Sequence, residues 1–89
     1  MVKKEITITT KTGLGAKPAA LFIQKASNYK SSIWIEKGER KANAKSLLGL
    51  LALGVDCGSK IVLIAEGDDE KEAVEELGEH LSLKLEESV

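Results

Sequence analysis

At roughly 100–150 residues per domain, this 89-residue chain is expected to form one domain spanning residues 1–89. Its 43% hydrophobic and 30% charged residues are ordinary for a globular protein and argue against disorder. Thirteen Lys+Arg against fourteen Asp+Glu give a net charge of −1, without the basic footprint of an autonomous nucleic-acid binder. No apolar run approaches ~18 residues and no signal-peptide core follows Met1, so neither a membrane span nor export is expected. The single cysteine, Cys57, excludes an internal disulfide and suits a reducing compartment, so a cytoplasmic location is the expectation.

Glu5-Ile6-Thr7-Ile8-Thr9 alternates with period two and reads as a strand with Ile6 and Ile8 inward. The glycine-spaced loop from Thr12 to Lys17 runs into a helix whose first turn holds Pro18, a residue with φ already helical. Ala19, Phe22, Ile23 and Ala26 then share one helical face. Ile33-Trp34-Ile35-Glu36 is a second alternating strand, and a turn at Gly38-Glu39 leads to a short polar strand, Arg40 to Asn43. Ser46 before a leucine run and Gly54 after it are the start and stop signals of a two-turn helix. Ile61-Val62-Leu63-Ile64-Ala65 is a continuous apolar run of central-strand type. Asp69 and Glu72 have capping-box spacing at the head of a last helix with Ala73, Val74, Leu77, Leu81 and Leu85 on one stripe. The order β-α-β-β-α-β-α predicts an α+β, open-faced two-layer sandwich.

Most catalytic constellations are excluded. His80 is the only histidine and lies on the flank of the last apolar stripe, where it reads as a boundary or solvated side chain. One Cys and one His at unrelated positions give no metal-ligand spacing, so no metal site and no cofactor are expected. Helix capping and a solvated face explain the acidic tract from Glu66 to Glu76 more simply than a bound cation does. An acidic neighbour, Asp56, disfavours a Cys57 thiolate.

Two segments stand out. Thr12-Gly13-Leu14-Gly15-Ala16-Lys17 feeds a helix N-terminus, which with the Lys17 charge is an anion site in principle; a ligand-free junction is the alternative. In Asn43-Ala44-Lys45-Ser46-Leu47-Leu48-Gly49-Leu50-Leu51, leucines surround nearly the whole circumference of a short helix. A two-layer fold buries one side only, so some leucines should be exposed beside the Ser46 hydroxyl, as a docking surface with a switch. A phosphate on Ser46 would add about −1.5 to −2 charge where the helix dipole and Lys45 favour it.

These residues carry a resemblance. Thr12-Gly13-Leu14 before Ala16-Lys17-Pro18-Ala19, with Lys45-Ser46, Leu53-Gly54 and Ala65-Glu66-Gly67, resembles HPr, the small phosphocarrier of the bacterial sugar phosphotransferase system. The resemblance covers essentially the whole chain and implies a four-stranded antiparallel sheet with three helices on one face. It also implies that the phosphoryl-accepting histidine of the family belongs where Gly15 stands, and an arginine where Lys17 stands. Glycine has no nucleophile, so a relay of phosphate from phosphoenolpyruvate is not expected at Gly15. Lys17 keeps the charge but not the planar bidentate fork.

Histidine-less members of the Crh type imply a regulatory role instead. An ATP-dependent HPr kinase/phosphorylase would modify Ser46, and the phosphoprotein would bind the LacI-type catabolite control repressor. Leu47, Leu48 and Leu51 would dock these partners, with Lys17 on the polar rim and Lys17 and Lys45 supporting the anion. The chain would not be an enzyme, would contact neither nucleic acid nor membrane, and leaves a homodimer open. Alternatives are a phosphocarrier protein by family, or a binding module in which Ser46 is only a helix cap.

Overall fold

The computed structural model describes residues 1–9 and 13–84. Four strands, β1 (Val2–Thr7), β2 (Ser32–Lys37), β3 (Arg40–Asn43) and β4 (Lys60–Glu66), form one antiparallel sheet in the order β1-β4-β2-β3. The helices are α1 (Ala16–Ala26), α2 (Leu47–Leu53) and α3 (Glu70–Glu79), and α3 continues into a π-helical turn at His80–Lys84. The predicted element order and the two-layer α+β fold are therefore observed. Thr12 and Leu85, which the sequence placed in the first loop and on the last stripe, lie outside the described residues.

Strand alternation decides which side chains meet the helices. Ile6, Ile33, Ile35, Ala42, Ile61, Leu63 and Ala65 point to one face and are buried there. Against them pack Ala19, Phe22 and Ala26 of α1, Leu50 and Leu53 of α2, and Ala73, Val74 and Leu77 of α3. The opposite face of the sheet carries Lys3, Glu5, Ser32, Trp34, Glu36, Lys41 and Glu66. Trp34 and Lys3 flank Ile64 in register, and Lys41 sets its ammonium 4.8 Å from the Trp34 ring centroid.

Three sequence expectations change. The first strand begins at Val2 rather than Glu5, because Val2 pairs with Ala65 and the whole N-terminal segment is laddered to β4. The last helix is not one continuous α-helix: the α-helical register ends at Glu79 and widens to the π form over His80–Lys84.

The third change concerns the Asp69–Glu72 capping box, which does not form: Asp69 makes no side-chain cap. Its carboxylate instead accepts from Lys30 N (2.8 Å), Ser31 N (2.9 Å) and the Ser31 hydroxyl. Three donors on the α1–β2 loop outcompete one helix amide, and Asp69 ties that loop to the head of α3. Glu70 reaches back to Gly67 N at 3.1 Å, satisfying a donor at the turn.

The Ser31 hydroxyl, then the Lys30 amide, hold the Asp69 carboxyl below its ordinary pKa of 3.8. A depressed carboxylate contributes stability that is present above its unfolded pKa and lost as pH falls through the folded one. Asp69→Asn replaces one acceptor oxygen by a donor facing donors. The variant should therefore melt below wild type at pH 7, with the gap closing below about pH 4. Thermal melts of both proteins at pH 7 and pH 3 check this, and an equal gap at both pH values would contradict it.

Candidate functional site

The α2 region is built by its caps. Ser46 has extended backbone and its Oγ accepts from Gly49 N at 3.2 Å, while its carbonyl accepts from Leu50 N at 3.0 Å. At the other end Gly54 takes the left-handed conformation (φ 69°), which glycine adopts without steric cost. Lys37 Nζ donates to Gly54 O, and Arg40 donates to Ala52 O at 3.3 Å. Two cations of the β2–β3 hairpin thus satisfy carbonyls at the negative end of α2.

Seven residues make two turns, and the sheet covers one side only. Leu50 is 0% exposed and Leu53 4%, whereas Leu47, Leu48 and Leu51 are 42%, 82% and 39% exposed. Three leucines named from the sequence as a docking surface therefore stand in solvent next to the half-buried Ser46. Leu21 on α1 is also exposed, and α1 packs against α2. Sequence reasoning passed over Leu21; its signal was an apolar residue lying off the Ala19–Phe22–Ile23–Ala26 stripe.

The two lysines fare differently. Lys17 is exposed in the first turn of α1, behind Gly15, which serves as N-cap without any side-chain bond. Lys45 also has a structural part: its ammonium donates to Tyr29 O at 2.8 Å and Ser31 O at 3.1 Å. It holds the α1–β2 loop with two of its three N–H groups, which leaves one donor for an anion. β3 borders Ser46 across a groove, with Arg40 reaching α2 on the helix side and Lys41 turning its ammonium over Trp34 on the other face. That groove, about 560 Å³ between β3 and α2, was not visible to a reading that treated β3 as merely short and polar.

The remaining candidates for chemistry lie apart from one another in the fold. Cys57 is exposed, its sulfur 3.7 Å from Thr9 O. His80 is half-buried in the π-helical turn, its ring 6.1 Å from that of Phe22. Among the described residues no group of three or more His, Cys, Asp or Glu side chains could hold a metal ion. Among them, too, no helix is long and apolar enough to cross a membrane.

Comparison with known proteins gives the arrangement a family. Residues 2–82 match the family described as the PTS HPr component phosphorylation site. The HPr-like protein Crh of Halalkalibacterium halodurans is 53% identical over 77 residues, 86% of this chain and 92% of that one. The crystal structure of HPr-C-His from Thermoanaerobacter tengcongensis superposes with a TM-score of 0.88 at 51% identity, covering 91% of each chain. Bacillus subtilis Crh, whose crystal structure is described as a dimer with a swapped domain, superposes with a TM-score of 0.74 at 46% identity, covering 91% of this chain and 93% of that one. With its antiparallel sheet, its three helices and its capped α2 beside exposed leucines, the chain belongs to the HPr family, with Crh proteins among its relatives.

Proposed function

We propose that the chain is a non-enzymatic, cytoplasmic regulatory phosphoprotein of carbon catabolite control. HPr kinase/phosphorylase transfers phosphate from ATP to Ser46, and the phosphoprotein binds the LacI-type catabolite control repressor. In the transfer Ser46 Oγ forms the new P–O bond, the β–γ bridge of ATP breaks, ADP leaves and the kinase takes the hydroxyl proton.

One observation carries this best: a hydroxyl at the head of α2 stands beside three leucines that the fold leaves in water. Phosphate there adds about −1.5 to −2 charge and three acceptor oxygens, with Gly49 N–H already directed at the Ser46 side chain. Leu47, Leu48 and Leu51 supply the apolar contact, and Lys17 a cation for the polar rim. Such a modification acts by creating a binding surface, so the chain itself needs no catalytic group.

The relationship to Crh supports the regulatory role over the carrier role. Gly15 occupies the position of the family's acceptor histidine and has no side chain to phosphorylate, so phosphoenolpyruvate is not its donor. A homodimer belongs to the same proposal. Bacillus subtilis Crh is described as a swapped dimer, and β1 here is an edge strand laddered to β4 alone.

Calorimetric titration into the repressor, before and after treatment with kinase and ATP, tests the proposal. Phosphorylation is expected to tighten binding at least about tenfold, the equivalent of one or two charge-assisted hydrogen bonds. Equal affinities would overturn it.

A further inference from the structure

We infer that the outer edge of β3, with the groove beside α2, is a docking site for an acidic extended segment of a partner protein, which adds to the sheet as a fifth strand. The main chain provides the pairing groups. Ala44 N–H donates to Ile33 O at 2.9 Å, so Ala44–Ile33 is a hydrogen-bonded pair. Antiparallel alternation then makes Ala42–Ile35 bonded, and turns the main-chain groups of Lys41 and Asn43 away from β2 to the open edge. Asn43 O is taken by Ser46 N–H at 3.0 Å, which leaves Lys41 N–H, Lys41 C=O and Asn43 N–H to pair with an incoming strand.

The helix side leaves room for its side chains. Ser46, Gly49 and Ala52 line the groove at helical spacing, and a Cβ on Gly49 would already stand 3.6 Å from Ala42 Cβ. With small residues on that wall, the groove holds about 560 Å³. An added strand presents alternate residues to its two faces.

Charge selects the occupant. Arg40 lies on the helix side of the strand and Lys41 on the opposite side, so consecutive acidic residues would meet one cation each. Glu36 is the anion opposite Lys41 in register, and it faces only the outer side of the sheet. Cations on a short edge strand repel basic strands and would be desolvated without a counter-charge by neutral ones, which protects the sheet from self-pairing. The same cations complement an acidic one.

Fluorescence anisotropy of the full chain with a labelled, acetylated and amidated peptide TVEEVTV tests the site. Binding is expected below about 1 mM, with no binding of TVKKVTV and at least about tenfold loss when alternate peptide amides are N-methylated. Lys41→Pro removes an outward N–H that β2 does not use, so it should lower affinity at least about tenfold, whereas Lys41→Gln lowers it about threefold. Ala52→Leu fills the groove from the helix and should weaken binding without using the strand, which keeps the test valid if Lys41→Pro fails to fold. No binding of TVEEVTV would leave the charged edge as protection only and overturn the proposal. So would undiminished binding of the N-methylated peptide, since charge alone would then suffice.

Discussion

Ser46→Ala is expected to abolish ATP-dependent phosphorylation completely and to lower stability by about 1 kcal/mol, whereas Ser46→Asn abolishes the phosphate and keeps the stability. The hydroxyl has two jobs in the structure. It is the proposed acceptor, and its Oγ already takes Gly49 N–H at the head of α2. Alanine removes both functions; asparagine keeps a cap acceptor and cannot be phosphorylated by a serine kinase. For a domain of this size, about 1 kcal/mol moves the melting midpoint by roughly 4–8 °C. Intact mass and a thermal melt read the two effects separately. If Ser46→Ala still gained phosphate from ATP, Ser46 would not be the acceptor. If both variants melted alike, the cap would not contribute as its geometry indicates.

Leu48→Asp is expected to weaken binding of the phosphorylated protein to the repressor by about 30-fold or more, with stability unchanged within about 0.5 kcal/mol. The side chain is 82% exposed, so little of it supports the fold. Burying a leucine at an interface is worth roughly 1.5–3 kcal/mol, and an aspartate in its place would lose that and desolvate a charge. Calorimetry with the repressor and a urea melt of the free protein give the two numbers. Full affinity in the variant would remove the leucine face from the interface.

The order of elements was legible because the local signals agree with the final packing. Alternation at Ile6/Ile8 and Ile33/Ile35, the helical stripe through Phe22, and the Ser46 and Gly54 caps all act over a few residues. The exposure of part of the leucine ring also followed from geometry, since a two-turn helix on a sheet has only one covered side. What stayed hidden depends on distant partners. Asp69 has capping-box spacing in sequence, yet its carboxylate is claimed by Lys30 and Ser31, more than thirty positions away. Lys45 sits next to Ser46 in the chain, yet two of its three ammonium donors go to the Tyr29 and Ser31 carbonyls. Arg40 and Lys41 lie on a strand that only the folded chain brings to Ser46, across a groove. The widening to a π turn at His80 leaves no mark on hydrophobic spacing, because it changes main-chain bonding rather than the apolar pattern.

The most direct measurement is intact mass of the unmodified protein after two parallel incubations, one with ATP and HPr kinase/phosphorylase, the other with phosphoenolpyruvate and enzyme I. A regulator built on Ser46 gains one phosphate from ATP and none from phosphoenolpyruvate. A phosphate from phosphoenolpyruvate, or none from ATP, would contradict it.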